Sequence, residues 1–297
     1  MKLSVLMSVY LKESPIFLRA CLDSLAAQTR MPEEIVLVED GPLGEELGAT
    51  IEAYRNDLPI VSIRLPLNVG LGAALRAGTD ACRGEYIARM DSDDICVPHR
   101  FAMQLEFLDG NPRIAIVGGA IAEFNQDASR LCSIRRLPRA SDQLAVFARS
   151  RNPLNHMTVM FRKASVLAAG NYRSCLGFED YDLWARMLMK GNQFHNLEEV
   201  LVHVRSGNGM QSRRGGTSYL KQEINLQLRL YGMSFFSAAQ CAMNILLRAP
   251  IRLVPVPLRS WLYQVFLRDP VVSGSASISH AALTPMGAGF VPERNAK

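Results

Sequence analysis

The sequence predicts an α/β protein: a sandwich with a mainly parallel central sheet covered by helices on both faces, followed by a C-terminal helical extension. Three observations predict it. Short apolar runs alternate with stretches of helical period from the N-terminus to about residue 117, the pattern of βαβ units. Polar and acidic residues stand directly after those runs, where open α/β sheets bind their ligands. From residue 218 onward, helical periodicity replaces the alternation.

Residues 3–9 form the first buried strand. Ser14 then offers an N-cap with Pro15 at the first helical position, and Leu18, Cys21, Leu22 and Leu25 supply one apolar face. A β-rich run over 35–38 ends at Glu39-Asp40-Gly41, followed by a polar helix over 45–55 and a strand over 60–65. Residues 70–82 read as a helix, 86–90 as a strand, 98–108 as a helix and 114–117 as the strand that closes the series. Beyond Pro138 the pattern loosens, with strands expected at 157–161 and 197–204 and a helix at 182–189. Helices are expected over 220–230, 236–247 and 258–267, and the Ser-, Ala- and Gly-rich residues 271–297 read as a disordered tail. The division expected is a main domain over 1–215, a basic amphipathic helical extension over 216–270 and the tail.

The composition of the 297 residues, 48% hydrophobic and 21% charged, excludes disordered, collagen-like and coiled-coil proteins. A formal net charge of +5 is too mild to argue for nucleic acid. Its distribution says more. Residues 1–200 carry 22 Lys/Arg and 25 Asp/Glu, net −3, whereas residues 201–297 carry 11 and 3, net +8. Six scattered cysteines without a CxxC pattern point to reduced thiols rather than a disulfide framework or zinc site. The N-terminus lacks a signal peptide's apolar core and reads as a strand, so a cytoplasmic location is expected. No run reaches the roughly 18 apolar residues of a membrane span.

The strand ends collect Tyr10, Glu39, Asp40, Asn68, Asp91, Asp93 and Asp94 on one rim. So many carboxylates repel one another unless a cation or hydrogen-bond donors neutralise them. Alternate carboxylates of Asp91-Ser92-Asp93-Asp94 can point into one cleft and suit Mg²⁺ or Mn²⁺, although an acidic loop or helix cap before Pro98 would read the same way. The glycines of Asn68-Val69-Gly70-Leu71-Gly72 open a helix whose N-terminus favours phosphate, and helix–sheet packing explains them equally well. Glu179-Asp180-Tyr181-Asp182-Leu183-Trp184 places three carboxylates before an amphipathic helix. Capping needs one or two; a general base for a hydroxyl would use another.

Together with Ser4-Val5-Leu6-Met7-Ser8-Val9-Tyr10 and Glu34-Ile35-Val36-Leu37-Val38-Glu39-Asp40-Gly41, these segments in this order resemble the bacterial family 2 glycosyltransferases, inverting nucleotide-sugar enzymes of the GT-A fold. The resemblance runs from Leu3 to about Arg214, and the segment from Asn152 to Lys163 is similar to the subgroup that builds exopolysaccharide and O-antigen repeat units. It implies that Asp40 bonds the nucleobase, usually uracil, with Tyr10 and Glu13 in that pocket and Asn68 and Arg76 near the donor. It further implies that Asp91 and Asp93 bind ribose and metal with Asp94 sharing the ligation, and that Asp180 is the base with Glu179 beside it. Glu39 and Gly72 depart from commoner Asp and Ala, the second without expected cost. His156 and Trp184 are acceptor-site candidates, and Arg213 or Arg214 could meet the donor diphosphate from a closing segment, or simply form a solvated basic loop. His195 reads as structural.

The expected reaction is transfer of a hexose from a UDP-sugar to a polyprenyl-linked oligosaccharide, with a divalent cation (Mg²⁺ or Mn²⁺) as cofactor. A nucleotidyltransferase would carry a glycine-rich basic loop where Tyr10-Leu11-Lys12-Glu13-Ser14 stands. A glycosidase would not need the acidic metal cluster, and an inactive sugar-binding module would not need Asp180. In the extension, apolar residues interleaved with Arg248, Arg252, Arg259 and Arg268 suit a helix lying on the anionic inner face of a cell membrane, or one packing on protein.

Overall fold

The computed structural model describes residues 2–206, 215–254 and 269–270. Strands β1 (Leu3–Val9), β2 (Glu34–Glu39), β3 (Ile60–Arg64) and β4 (Tyr86–Arg89) pair in parallel in the order β3-β2-β1-β4. Helices α1 (Pro15–Ala26), α2 (Glu45–Ala53) and α3 (Leu71–Ala81) make the crossovers. Ser14 takes the extended N-cap conformation before Pro15, but its side chain makes no capping bond.

Two-residue alternation in the strands builds two cores. Leu3, Val5, Met7 and Val9 of β1 face one core with Leu18 and Leu22 of α1, Ile51 of α2 and Phe101 of α4 (Arg100–Gly110). Leu6 faces the other, with Ala74 and Leu75 of α3 and Leu183 and Trp184 of α7 (Glu179–Met189). Burial on both faces is why β1 and β2 carry apolar residues on both faces rather than on alternate positions only.

Past β4 the sheet becomes mixed. The three-residue β8 (Met160–Arg162) inserts antiparallel between β4 and β6 (Ile114–Phe124). β7 (Leu131–Arg135) and the two-residue β10 (Asp269–Pro270) continue antiparallel beyond β6. β9 (Gln193–Arg205) runs parallel to β6, and its end pairs with the two-residue β5 (Ile95–Cys96). The sequence predicts that β6 stops at Val117, before two glycines. The strand instead runs through them: a Cβ on Gly118 would lie 2.5 Å from Asn196 Oδ1, and one on Gly119 2.5 Å from Leu201 Cδ1. These glycines admit β9 rather than make a turn. The short helices α5 (Ser141–Phe147) and α6 (Lys163–Ala168) were not expected.

Helices α8 (Gly216–Gly232) and α9 (Ala238–Leu253) form the extension. Leu226, Leu230, Phe235, Phe236 and Cys241 pack against Tyr181 and Ala185 of α7. Glu223 is buried between them and accepts hydrogen bonds from Arg248 and Arg252. Two of the four arginines of the extension, Arg248 and Arg252, therefore pack on protein rather than stand free for a membrane surface. Arg259, Arg268, the helix expected over 258–267 and the tail expected over 271–297 lie outside the described structure, apart from the backbone pairing of 269–270. All six cysteines are unpaired, four of them buried. No described helix is long and apolar enough to cross a membrane.

Candidate active site

The C-terminal ends of β1 to β4 open into a cavity of about 610 Å³, walled chiefly by Tyr10, Lys12, Glu13, Asp40, Asn68, Gly70, Leu71, the Asp91–Asp94 loop, Met157 and Arg205. The parallel pairing places these ends on one edge, and the crossovers bring the next loop back to it. The volume suits a small organic ligand.

Side-chain hydrogen bonds tie neighbouring strand ends together around the cavity. Gly41 adopts φ +87°, and a Cβ there would lie 2.7 Å from the Asn68 nitrogen, so only glycine lets the turn after β2 approach the loop after β3. Asp40 closes that junction. Its carboxylate accepts the N–H groups of Val69 at 2.7 Å and Gly70 at 3.1 Å, and Asn68 Nδ2 donates to its carbonyl at 3.1 Å. Its oxygens are thus already engaged in shaping the pocket expected to hold a base. Glu13 accepts the Ser14 N–H at 2.7 Å and the Ser92 hydroxyl at 2.6 Å, joining the β1 loop to the acidic loop. Ser92 lies inside the acidic motif, yet the spacing of its carboxylates does not single it out.

The acidic loop is asymmetric. Asp91 is partly exposed and forms an ion pair with the buried Arg89. Burial, Asp91 and Glu13 push the Asp93 carboxyl up to about 7. Asp94 is only 2% exposed, and its Oδ1 accepts the Arg205 N–H at 2.9 Å. Burial and its two acidic neighbours raise it well above the ordinary range. Through Oδ1 the Asp94 carboxylate thus fastens the loop to β9, while the residue also lines the cavity. Arg205 also donates to the Asp93 carbonyl and lies between the Phe17 and Phe124 rings, 3.9 and 4.7 Å from their centroids. Arg205 is not among the site residues expected from the sequence.

No group of three or more metal-ligating side chains occurs among the described residues. The donor set nonetheless fits a hard cation. Asp91 and Asp93 present oxygen ligands, and the raised Asp93 marks excess negative charge. Mg²⁺ needs only one or two protein carboxylates when water and phosphate oxygens supply the rest.

Glu179 and Asp180 sit in the first turn of α7, where the helix dipole favours carboxylates. They adjoin the cavity through α3: a Cβ on Gly72 would lie 3.2 Å from the Glu179 Cβ and 2.6 Å from the Arg173 carbonyl oxygen. Glycine at 72, in place of the commoner alanine, therefore costs nothing here and admits the close approach of the Arg173 carbonyl. Asp180 is half-buried. Its Oδ2 accepts Asn152 Nδ2 at 2.5 Å, and its Oδ1 the Tyr181 N–H at 2.7 Å. Glu179 is 7% exposed, and burial together with Asp180 pushes it up to about 7. The third carboxylate, Asp182, is structural and pairs with Arg186 and Arg229.

Three further candidates move. Arg76 is exposed and donates to the carbonyls of Gly170 and Tyr172; it is not a wall of the cavity. Trp184 is fully buried among Phe194, Tyr172 and His156, so it cannot touch an acceptor. His156 hydrogen-bonds the Tyr172 hydroxyl at 3.0 Å, and burial with nearby Arg89 holds it well below its usual range. His195 stacks on Phe107 with centroids 4.6 Å apart, in keeping with a structural role. Arg213 and Arg214 lie outside the described residues.

Known proteins share this architecture. The profile of glycosyl transferase family 2 matches residues 4–166. The amylovoran biosynthesis glycosyltransferase AmsE of Erwinia amylovora is 41% identical over 261 residues, 88% of this chain and 97% of that protein. The Escherichia coli UDP-Gal:alpha-D-GlcNAc-diphosphoundecaprenol beta-1,3-galactosyltransferase is 34% identical over 267 residues, 90% of this chain and 97% of that protein. Among solved structures, Staphylococcus aureus TarS 1-349 in complex with UDP-GlcNAc superposes with a TM-score of 0.64 at 17% identity, over 90% of this chain and 74% of that one. That likeness bears on the fold alone and agrees with the expected GT-A-like sandwich. With a profile covering more than half of the chain and relatives matched over nearly their whole length, the chain belongs to glycosyltransferase family 2.

Proposed function

We propose that the chain transfers a hexosyl group from a UDP-sugar to a hydroxyl of a lipid-linked saccharide, with inversion, during surface polysaccharide assembly. The observation that carries this reading is the meeting of two carboxylate sets: the acidic loop in the cavity at the strand ends, and Asp180, held by Asn152, on the helix beside it. The donor and acceptor classes are those in the name of the Escherichia coli relative.

The cavity binds the nucleotide against Tyr10 and the turn held by Asp40. Asp91 and Asp93 are the residues that would hold a divalent cation; the solved mannosyltransferase from Pyrobaculum calidifontis, alike in fold, is in complex with GDP-Man and Mn2+. Such a cation supplies positive charge for the departing diphosphate. The acceptor oxygen bonds to the anomeric carbon from the face opposite the phosphate, and the bond from that carbon to the diphosphate oxygen breaks. The hydroxyl proton passes to Asp180. An α-linked donor then gives a β-glycoside. Asn152 fixes one oxygen of Asp180 and the Tyr181 N–H fixes the other, which orients the base before the acceptor arrives. The extension is assigned to the inner membrane surface, where a lipid-linked acceptor lies; Met243, Leu246 and Leu247 are exposed on α9 in support of this.

The test is transfer from UDP-Gal and UDP-Glc, with Mn²⁺, to a GlcNAc-diphosphate carrying a short lipid, followed by mass spectrometry. Product should form with one donor. Asp180→Asn should lower kcat by roughly 10²–10⁴-fold with UDP affinity retained, the loss expected for a general base. Full activity in Asp180→Asn, at normal stability, would remove Asp180 from the mechanism.

A further inference from the structure

We propose that Arg89 is a positioning residue: a buried fixed cation that, through its ion pair with the cavity-lining Asp91, sets the charge met there by both diphosphate and divalent cation. The inference rests on the transferase reading above and deepens it.

Arg89 is the last residue of β4. Ile87, two positions earlier, faces the core containing Trp184 and Tyr172, so Arg89 points into the same core. It is 2% exposed. One Nη pairs with Asp91, while Nε and the other Nη have no partner among the described residues. Its charge is felt by Asp94 in the acidic loop, by Tyr172 and His156, and by Glu179 in the first turn of α7. Stability does not account for it. Burying a guanidinium costs several kcal/mol, and an apolar residue of similar volume in place of a buried ion pair is often neutral or stabilising. A functional arrangement does account for it. The carboxylates that must receive a polyanionic diphosphate carry one positive charge already, so nucleotide can bind before a cation, and a cation binds less tightly than the carboxylates alone would hold it.

Arg89→Met and Arg89→Lys variants of the full chain separate these effects. UDP affinity is measured by calorimetry in EDTA, and Mn²⁺ affinity without nucleotide by paramagnetic resonance. Removing a unit charge this close should change both by about tenfold or more in opposite directions: UDP weaker, Mn²⁺ tighter. Arg89→Lys should restore Mn²⁺ affinity to near wild type. If Arg89→Met does not fold, Arg89→Gln, which retains donors without charge, carries the same comparison. Variants that bind UDP and Mn²⁺ as wild type does, or that lose both together, overturn the inference. A wild-type protein that binds no UDP-sugar or UDP overturns the transferase reading instead.

Discussion

At the scale of single residues, Glu179 shows how burial turns a carboxylate into a pH sensor of stability. Its folded pKa of about 7 stands above the ordinary 4.5, because burial and Asp180 disfavour its charged form. Between those values the folded state holds more protons than the unfolded state. The stabilisation this provides is complete below about pH 4.5 and is lost as pH rises through about 7. Glu179→Gln removes the dependence. Relative to that variant, wild type should lose up to about 3 kcal/mol between pH 4.5 and 8, read by urea unfolding at several pH values. Parallel curves would mean that Glu179 does not titrate in this range. The site was legible at this scale only in part. Asp91, Asp93 and the Glu179-Asp180 pair are found in sequence because carboxylates cluster after predicted strands or before a helix. Arg76 and Trp184 were misplaced because position in a motif does not say where a side chain turns. Asn152 and Ser92 were missed as site ties because each acts on a residue far away in sequence.

Among the elements, the four parallel strands and their crossovers were legible because short apolar runs alternate with stretches of helical period across polar connections. The antiparallel β8 was harder to read: three residues carry too little alternation, and its neighbours in the sheet are decided by long-range pairing. The extension was legible as helices but not in its use of charge. Glu223, 1% exposed, gathers Arg248 and Arg252, and Arg252 also lies over the Tyr219 ring at 4.7 Å. The arginines hold the Glu223 pKa down although burial opposes them. Removing one partner of such a cluster leaves uncompensated buried charge. Glu223→Ala should therefore cost about 3–5 kcal/mol. The loss should be concentrated in α8 and α9, seen as faster amide exchange there than in β1 to β4. A uniform loss across the molecule would show that the extension and the sheet unfold as one unit.

For the whole molecule, the division of charge at residue 200 gains a physical reading. The acidic excess of the first part lies at the strand ends, where Asp40, Asp91, Asp93 and Asp94 meet one cavity. The basic excess of the second part is not all available to a surface, since Arg205 stacks between two phenylalanines and Arg248 and Arg252 bind Glu223. The proposed attachment to a membrane would then rest on fewer charges and more apolar contact than the composition suggested. Met243, Leu246 and Leu247 follow helical spacing on α9 and are 51%, 68% and 62% exposed, so they form one apolar stripe facing away from the core. Such a stripe beside basic residues binds the interface of an anionic bilayer by insertion supplemented by charge. The protein should float with vesicles containing phosphatidylglycerol, and about 1 M salt should weaken the association without abolishing it. Replacing both Leu246 and Leu247 by Glu should abolish flotation while leaving transfer to a short water-soluble acceptor unchanged, because neither side chain approaches the cavity. If the double variant still floats, or salt alone releases wild type completely, the attachment is purely electrostatic and the stripe on α9 has another use.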